Sequence, residues 1–336
     1  MKDKIYVFVN KKHSIHHIHE RGYVESPIRI KSILSKIEEL DFIEIKQSKH
    51  FDEKHILKVH NKKFYNYLKT LTKSLPENKS LYPYVFPIRN KNKMPIEPSV
   101  KVGYYCIDTF TPIHKNALLA TIGAIDCGLS GALAIKEEKV KYAYALVRPP
   151  GHHAESNSFG GFCYLNTNAI SANYLSQFGK VAILDIDYHH GNGQQEIFYK
   201  RDDVLTISLH GHPKFAYPYF SGFEDEIGED AGKGYNYNFA LKEKTTIEEY
   251  KIKLKLALNK IKRFKPKYLV LALGLDTEKS DPTGTFNFTK KDFYELAQLI
   301  SSLNLPILII QEGGYDTRQL GINAKNFLQG IINKKN

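Results

Sequence analysis

Four segments of this 336-residue chain concentrate groups that can do chemistry. They are RPPGHHAESNSFGGFCYLN from Arg148, DIDYHHGNGQQ from Asp185, DTEKSDPTG from Asp276 and QEGGYD from Gln311. The second is the densest. Alternate residues of a strand share a face, so an extended Asp185-Ile186-Asp187-Tyr188-His189 would present two carboxylates and an imidazole together. Buried charges of one sign need a cation or several hydrogen bonds. Asp187 and His189, joined by Asp276 from another segment and by a water, would form an open tetrahedral site of the catalytic zinc type. Iron or manganese suits the same ligands. His152 and His153 follow a rigid Pro-Pro-Gly and can both reach one cavity. A metal-activated water needs a base and a leaving amine needs an acid, and two histidines with different partners can divide those tasks. Tyr315, on a Gly-Gly turn, places a phenol where it can donate to an oxyanion.

The elements that must carry these groups are legible as short, β-branched apolar runs: Ile5 to Val9, Phe42 to Ile45, Tyr142 to Val147, Val181 to Ile186, Val204 to Leu209, Tyr268 to Leu275 and Pro306 to Gln311. Most are apolar on both faces, as in a parallel sheet covered on both sides. Helix-length segments alternate with them: Ser26 to Leu40, Ile113 to Ile135, Thr167 to Gln177, Thr246 to Phe264 and Thr289 to Leu303. Thr246 and Glu249 read as a capping box; Ser35 and Glu38 repeat the pattern inside a helix. The alternation predicts one α/β domain over residues 1–336 with a mainly parallel sheet. All four chemical segments then fall at strand carboxyl ends, where open α/β sheets bind ligands.

Composition narrows the function classes. The net charge of +12 comes mostly from lysine, with 7 Arg among 48 basic residues, and no nucleic-acid motif occurs. A lysine-rich solvated surface is expected, not a base reader. The basic segment from Lys251 to Lys267, with Ile252, Leu254, Leu256, Leu258 and Ile261 interleaved, reads as a surface helix docked on a core. No run of 18 apolar residues and no signal peptide are visible, so no membrane span is expected. Cys106, Cys127 and Cys163 form no CxxC pair, which suits free thiols in a reducing cytoplasm. The segment from Ser74 to Pro98, rich in proline and carrying Tyr82, Tyr84 and Phe86, predicts a long loop that packs against something. His13, His16, His17 and His19 predict a surface or entrance loop.

RPPGHHA, GFCYLN, DIDYHHGNG, GLDTEKSDP and GGYD, in this order, resemble the arginase/deacetylase superfamily, in the branch of histone deacetylases and acetylpolyamine amidohydrolases. The likeness runs from Ile5 to Gly321. It implies an eight-stranded parallel sheet between helices and zinc-dependent hydrolysis of an acylated amine. It further implies Asp187, His189 and Asp276 as zinc ligands, His153 as general base then acid, His152 as electrostatic support, and Tyr315 as the group that polarises the carbonyl. Asp185 would support His152. A structural potassium would lie among Asp185, Ser208 and main-chain oxygens of Asp187, His189 and Leu209. Gly161, Phe162 and Tyr217 would line the narrow channel. Asn192 stands where first-class deacetylases carry Asp and where the acetylpolyamine and second-class enzymes carry Asn. YPYVFPIR (82–89) and GYYCIDTFTPI (103–113) are similar to acetylpolyamine amidohydrolases, which implies a homodimer built through the loop near 74–100 and a small acetylated amine as substrate. Thr283 stands where a polyamine-specific relative has a gatekeeper Glu, leaving Glu20, Glu25 and Glu97 as candidates for an acidic mouth. A protein acetyl-lysine substrate is the alternative, and a two-metal ureohydrolase lacks the further Asp ligands it would need.

Overall fold

In the computed structural model, described over residues 4–77, 79–87, 90 and 92–333, eight parallel strands form one sheet. In chain order the strands are β1 (Ile5–Val9), β2 (Ile43–Lys46), β3 (Ser80–Leu81), β4 (Ile113–His114), β5 (Tyr142–Leu146), β6 (Val181–Asp185), β7 (Val204–Gly211), β8 (Asn236–Leu241), β9 (Tyr268–Leu273) and β10 (Ile307–Gln311). The sheet order is β2-β1-β5-β10-β9-β6-β7-β8, and β3 pairs with β4 in a separate antiparallel ribbon. The helices are α1 (Ile28–Ile37), α2 (Lys54–Leu57), α3 (Lys62–Ser74), α4 (Pro98–Tyr105), α5 (Ala117–Lys136), α6 (Thr167–Leu175), α7 (Asn192–Phe198), α8 (Ile247–Phe264), α9 (Asp292–Ser301) and α10 (Leu320–Ile332).

The strand period of two divides the core. Tyr142, Tyr144 and Leu146 of β5 face one apolar cluster with Ile30, Ile33, Leu254, Leu296 and Phe327, while Ala143 and Ala145 face the other with Phe64, Leu68, Leu129 and Ile170. Both faces of the sheet are therefore covered, and β5, β6, β9 and β10 are buried along their full length. That is why these strands read as continuous apolar runs. Helix α5, long and apolar enough to cross a membrane, is a core helix whose apolar stretch is mostly enclosed by protein.

Several expectations shift. Helix α5 starts at Ala117, four residues later than expected, because Ile113–His114 is spent pairing with Ser80–Leu81. Strand β8 escapes the apolar pattern since its run NYNFAL alternates Asn with apolar residues and it lies at the sheet edge. Helices α2, α3, α4, α7 and α10 lie outside the helix segments expected from the sequence. In α8 the buried residues Tyr250, Leu254, Ala257, Leu258 and Ile261 form a helical stripe, whereas Ile252 and Leu256 point outward. The Thr246–Glu249 capping box forms as read.

Candidate active site

Strand β6 ends at Asp185, and the chain then turns. The extended conformation expected to align Asp185, Asp187 and His189 does not persist. Instead the Asp187 N–H donates to Asp185 Oδ1 at 3.0 Å, and the His189 N–H donates to Asp187 Oδ1 at 2.9 Å. Each aspartate caps the backbone two residues on, a short polar side chain standing in for a strand partner. The turns still bring Asp187 and His189 together, and Asp276, three residues past β9, completes the group. His189 Nδ1 lies 3.2 Å from Asp187 Oδ1 and 3.0 Å from Asp276 Oδ2. One donor atom from each of the three side chains falls within 4.8 Å of the others.

The surroundings fit a cation at this point. Both carboxylates are fully buried, yet each accepts only a few protein N–H groups: Gly313 N–H to Asp187 Oδ2 at 2.7 Å, and Tyr188 N–H to Asp276 Oδ1 at 2.9 Å. Gly313 is required there because a Cβ would collide with both carboxylates. Burial and the neighbouring Asp187 charge push the Asp276 carboxyl up to about 7. Burial opposes charge on His189 too, but the two aspartates overcome it and raise the imidazole to about 10. His152 and His189 outweigh burial and hold Asp187 below the ordinary carboxylate range, so Asp276 and His189 are the groups that retain protons, and a divalent ion would relieve them.

His152 and His153 lie beside this group, their ring centroids 4.0 Å apart. His152 Nδ1 contacts Asp185 Oδ2 at 2.9 Å, and the His152 backbone N–H donates to Glu312 Oε2 at 3.0 Å. Burial disfavours its charge, but Asp187 and Asp185 outweigh burial and raise its pKa to about 10. His153 Nδ1 contacts Asn192 Oδ1 at 2.8 Å. Burial, then the charges of His152 and His189, hold its pKa well below the ordinary imidazole value. Ser208, paired in register with Asp185, approaches His210 Nδ1 with its hydroxyl at 2.8 Å, and Gln194 Nε2 donates to Asp185 Oδ2 at 2.7 Å.

Aromatic rings wall the approach. Tyr217 packs edge-on to His153 with centroids 4.8 Å apart, Phe162 meets Tyr315 at 5.7 Å, and Phe110 bridges Phe162 and Tyr217 at 5.5 and 5.4 Å. Gly161 sits at φ +55°, and a Cβ there would run into the His153 ring. The chain can cross this close to the His153 ring only without a side chain. Tyr315 is oriented through its backbone: Asp281 Oδ2 accepts the N–H groups of Tyr315 and Asp316 at 2.5 and 3.1 Å. Burial and the carboxylates of Asp187 and Asp276 raise the phenol well above 10, with Arg29 opposing.

The sequence candidates for an acidic mouth separate in space. Glu25 is buried and paired with Arg29 and Arg148, so it faces no solvent. Glu97 caps α4 by accepting from Val100 N–H. Glu20 accepts the Tyr82 hydroxyl on a turn that ends at Tyr23, whose ring packs on Phe162. Thr283 donates its hydroxyl to Asp281. The expected surface loop of histidines is half right: His17 and His19 are near the surface, but His16 is buried, and Arg148 donates to the His13 and His16 carbonyls. Of the 82–89 segment, Ile88 and Arg89 lie outside the described residues.

Four site residues were missed. Asp108 Oδ2 gathers Gly161 N–H at 2.5 Å, Thr111 Oγ1 at 2.9 Å and Tyr217 OH at 3.0 Å, so one carboxylate holds Gly161 and Tyr217 in place beside His153. Glu312 holds the His152 turn, Asp281 the Tyr315 turn, and Arg29 stacks over the Tyr315 ring at 4.7 Å. Asp108 lies inside the quoted GYYCIDTFTPI segment and Glu312 inside QEGGYD, which was the available signal.

Fold and site define an enzyme class, the deacetylase-type hydrolases. The profile of the histone deacetylase domain matches residues 23–331, and the chain belongs to that family, whose members depend on a metal. It is 37% identical over 314 residues to acetylpolyamine amidohydrolase 1 of Pseudomonas aeruginosa, covering 91% of this chain and 90% of that protein. The acetylpolyamine amidohydrolase of Mycoplana ramosa is 34% identical, with coverage of 91% and 92%. The crystal structure of an acetylpolyamine aminohydrolase from Burkholderia pseudomallei superposes with a TM-score of 0.90 at 33% identity, over 97% of this chain and 98% of that one.

Proposed function

We propose that this protein hydrolyses small acetylated amines of the acetylpolyamine type. The observation that carries the reading is the convergence of Asp187, His189 and Asp276 beside the His152–His153 pair, at the inner end of an aromatic channel. Asp187, His189 and Asp276 would hold a zinc ion, with Fe2+ a second candidate for the same donors. When bound, such an ion supplies Lewis acidity to a carbonyl oxygen and lowers the pKa of a water.

The side chains divide the remaining work. Burial and two nearby imidazoles favour a neutral His153 ring, and the Asn192 Oδ1 acceptor at Nδ1 leaves Nε2 to act as base. It takes a proton from the attacking water and returns it to the departing amine. His152, held as imidazolium by Asp185, stabilises developing negative charge. Tyr315 donates its phenolic proton in a hydrogen bond to the carbonyl oxygen as that oxygen gains charge. Gly161, Phe162 and Tyr217 restrict the channel to a slender acyl-amine and exclude water. Asp185 and Ser208, with main-chain oxygens of Asp187, His189 and Leu209, would bind a structural potassium.

The substrate class rests on the relatives, which carry the acetylpolyamine name across nine-tenths of this chain. Of the three acidic-mouth candidates, Glu20 is the exposed one that is neither buried in an arginine pair nor used as a helix cap, and it would be the carboxylate to meet a distal ammonium. The loop near 74–100 exposes Tyr84, Val85, Met94 and Ile96, with Ile96 95% exposed, which supports a homodimer formed through it. Free Cys106, Cys127 and Cys163 suit the cytoplasm. The test is deacetylation of acetylputrescine and acetylspermidine against an acetyl-lysine peptide by zinc-loaded protein, with His153→Ala as control. Higher kcat/KM on the polyamines is expected; a preference for the peptide would make this a protein deacetylase.

A further inference from the structure

The geometry points to Glu155 as a positioning residue for His153, acting through the side-chain amide of Asn192. Glu155 Oε1 accepts from Asn192 Nδ2 at 2.8 Å, while Asn192 Oδ1 faces His153 Nδ1 at 2.8 Å. The same Nδ2 also donates to the His153 carbonyl at 3.2 Å. Reversing the amide would set its oxygen against a carboxylate and a carbonyl, so two acceptors fix the orientation. With only an acceptor offered to Nδ1, the neutral His153 ring carries its proton on Nδ1 and leaves Nε2 as the base.

Glu155 is itself anchored. Its Oε2 accepts the Ser158 hydroxyl at 2.7 Å, its N–H donates to the Ser158 carbonyl at 3.0 Å, and its carbonyl faces His60 Nδ1 at 2.9 Å. It is reached from a cavity of about 540 Å3 that Asn192, Glu196, Tyr199 and Phe220 also line. That cavity is lined by neither Phe162 nor Tyr217, and Glu155 reaches His153 through the Asn192 amide. The carboxylate also polarises the amide, making Oδ1 a stronger acceptor for His153.

This arrangement explains why a neutral amide suits position 192 in this chain. A carboxylate there would face the Glu155 carboxylate at hydrogen-bonding distance, an uncompensated like-charge contact. Asn192 and Glu155 therefore form a matched pair, and changing one alone breaks it.

The proposal rests on the reading of His153 as the base, and the experiment separates the two. Glu155→Ala, Glu155→Gln, Asn192→Asp and the Glu155→Gln/Asn192→Asp double variant are assayed for kcat, KM and pH profile on acetylputrescine. The 15N chemical shifts of His153 in histidine-labelled, metal-free protein report its tautomer. Glu155→Ala is expected to lower kcat about tenfold, roughly one buried hydrogen bond, with KM nearly unchanged. It should also move the acidic limb and mix the His153 tautomers, whereas Glu155→Gln, which keeps an acceptor, restores most of the loss. Asn192→Asp should be more impaired than the double variant. Unchanged kcat, pH profile and tautomer in Glu155→Ala would reduce Glu155 to a loop anchor and overturn the proposal. So would a double variant no better than Asn192→Asp, a comparison that survives if Glu155→Ala fails to fold. Full activity in His153→Ala would instead sink the underlying reading, while the tautomer measurement still decides the role of Glu155.

Discussion

His152 and His153 are chain neighbours with rings 4.0 Å apart, and their protonation is driven in opposite directions. Burial penalises both charged forms. His152 overcomes the penalty because two aspartates face it; His153 meets a neutral amide and two other imidazoles. Environments that separate the pKa values of two like groups assign one to each proton task.

The pH profile should follow. The base must be unprotonated, and its pKa is depressed, so kcat/KM should hold its plateau below pH 6.5 and fall only at lower pH. Loss of the His152 proton sets the alkaline limb at or below about 10, since a cation on Asp187 removes part of the attraction that raises it. His153→Ala should lower kcat about 10²- to 10⁴-fold. An acidic limb at the ordinary imidazole value in steady-state assays would contradict this assignment.

Tyr315→Phe removes one hydroxyl and leaves the turn held by Asp281 intact. Turnover should fall on the order of 10²-fold, with metal content unchanged by elemental analysis. Full turnover would remove the phenol from the reaction.

Metal occupancy should depend on Asp187 more than on any group nearby. Asp187→Ala deletes a carboxylate that also receives the Gly313 and His189 N–H groups. Elemental analysis should find the bound metal lost, and activity with it. Retention of one equivalent would show that the ligand set is wrong.

Stability in acid should depend on Glu25. Arg148 binds this buried carboxylate through Nε at 2.8 Å and NH2 at 2.7 Å, and Arg29 adds a contact at 3.1 Å. Burial alone would raise its pKa, but the two guanidinium groups prevail and lower it from 4.5 to about 2. A depressed folded-state value means stabilisation that is complete above pH 4.5 and lost as pH falls toward 2. At 1.36 kcal/mol per unit this is about 3 kcal/mol. Urea titrations from pH 6 to 2.5 should show that loss in the wild type; Glu25→Gln should be less stable at pH 6 and flatter across the window.

Much of this protein was readable as one-dimensional pattern. Runs buried on both faces announced β5, β6, β9 and β10, because a strand covered on both sides needs no polar alternation. Asp187, His189, Asp276, His152, His153 and Tyr315 were legible because their types cluster with glycines just past those strands.

Only the tertiary structure decided how the groups are aimed. It replaced an extended Asp185–His189 by two aspartate-capped turns, withdrew Glu25 from the expected mouth into a pair with Arg29 and Arg148, and buried His16. It also recruited Asp108, Glu155, Asp281 and Glu312 to hold Gly161 and Tyr217, the Asn192 amide and the two turns. The physical reason is range. Burial pattern is set by each residue's own polarity and repeats along the chain. A hydrogen bond between Asp108 and Tyr217, 109 residues apart, depends on which elements the packed sheet and helices bring together.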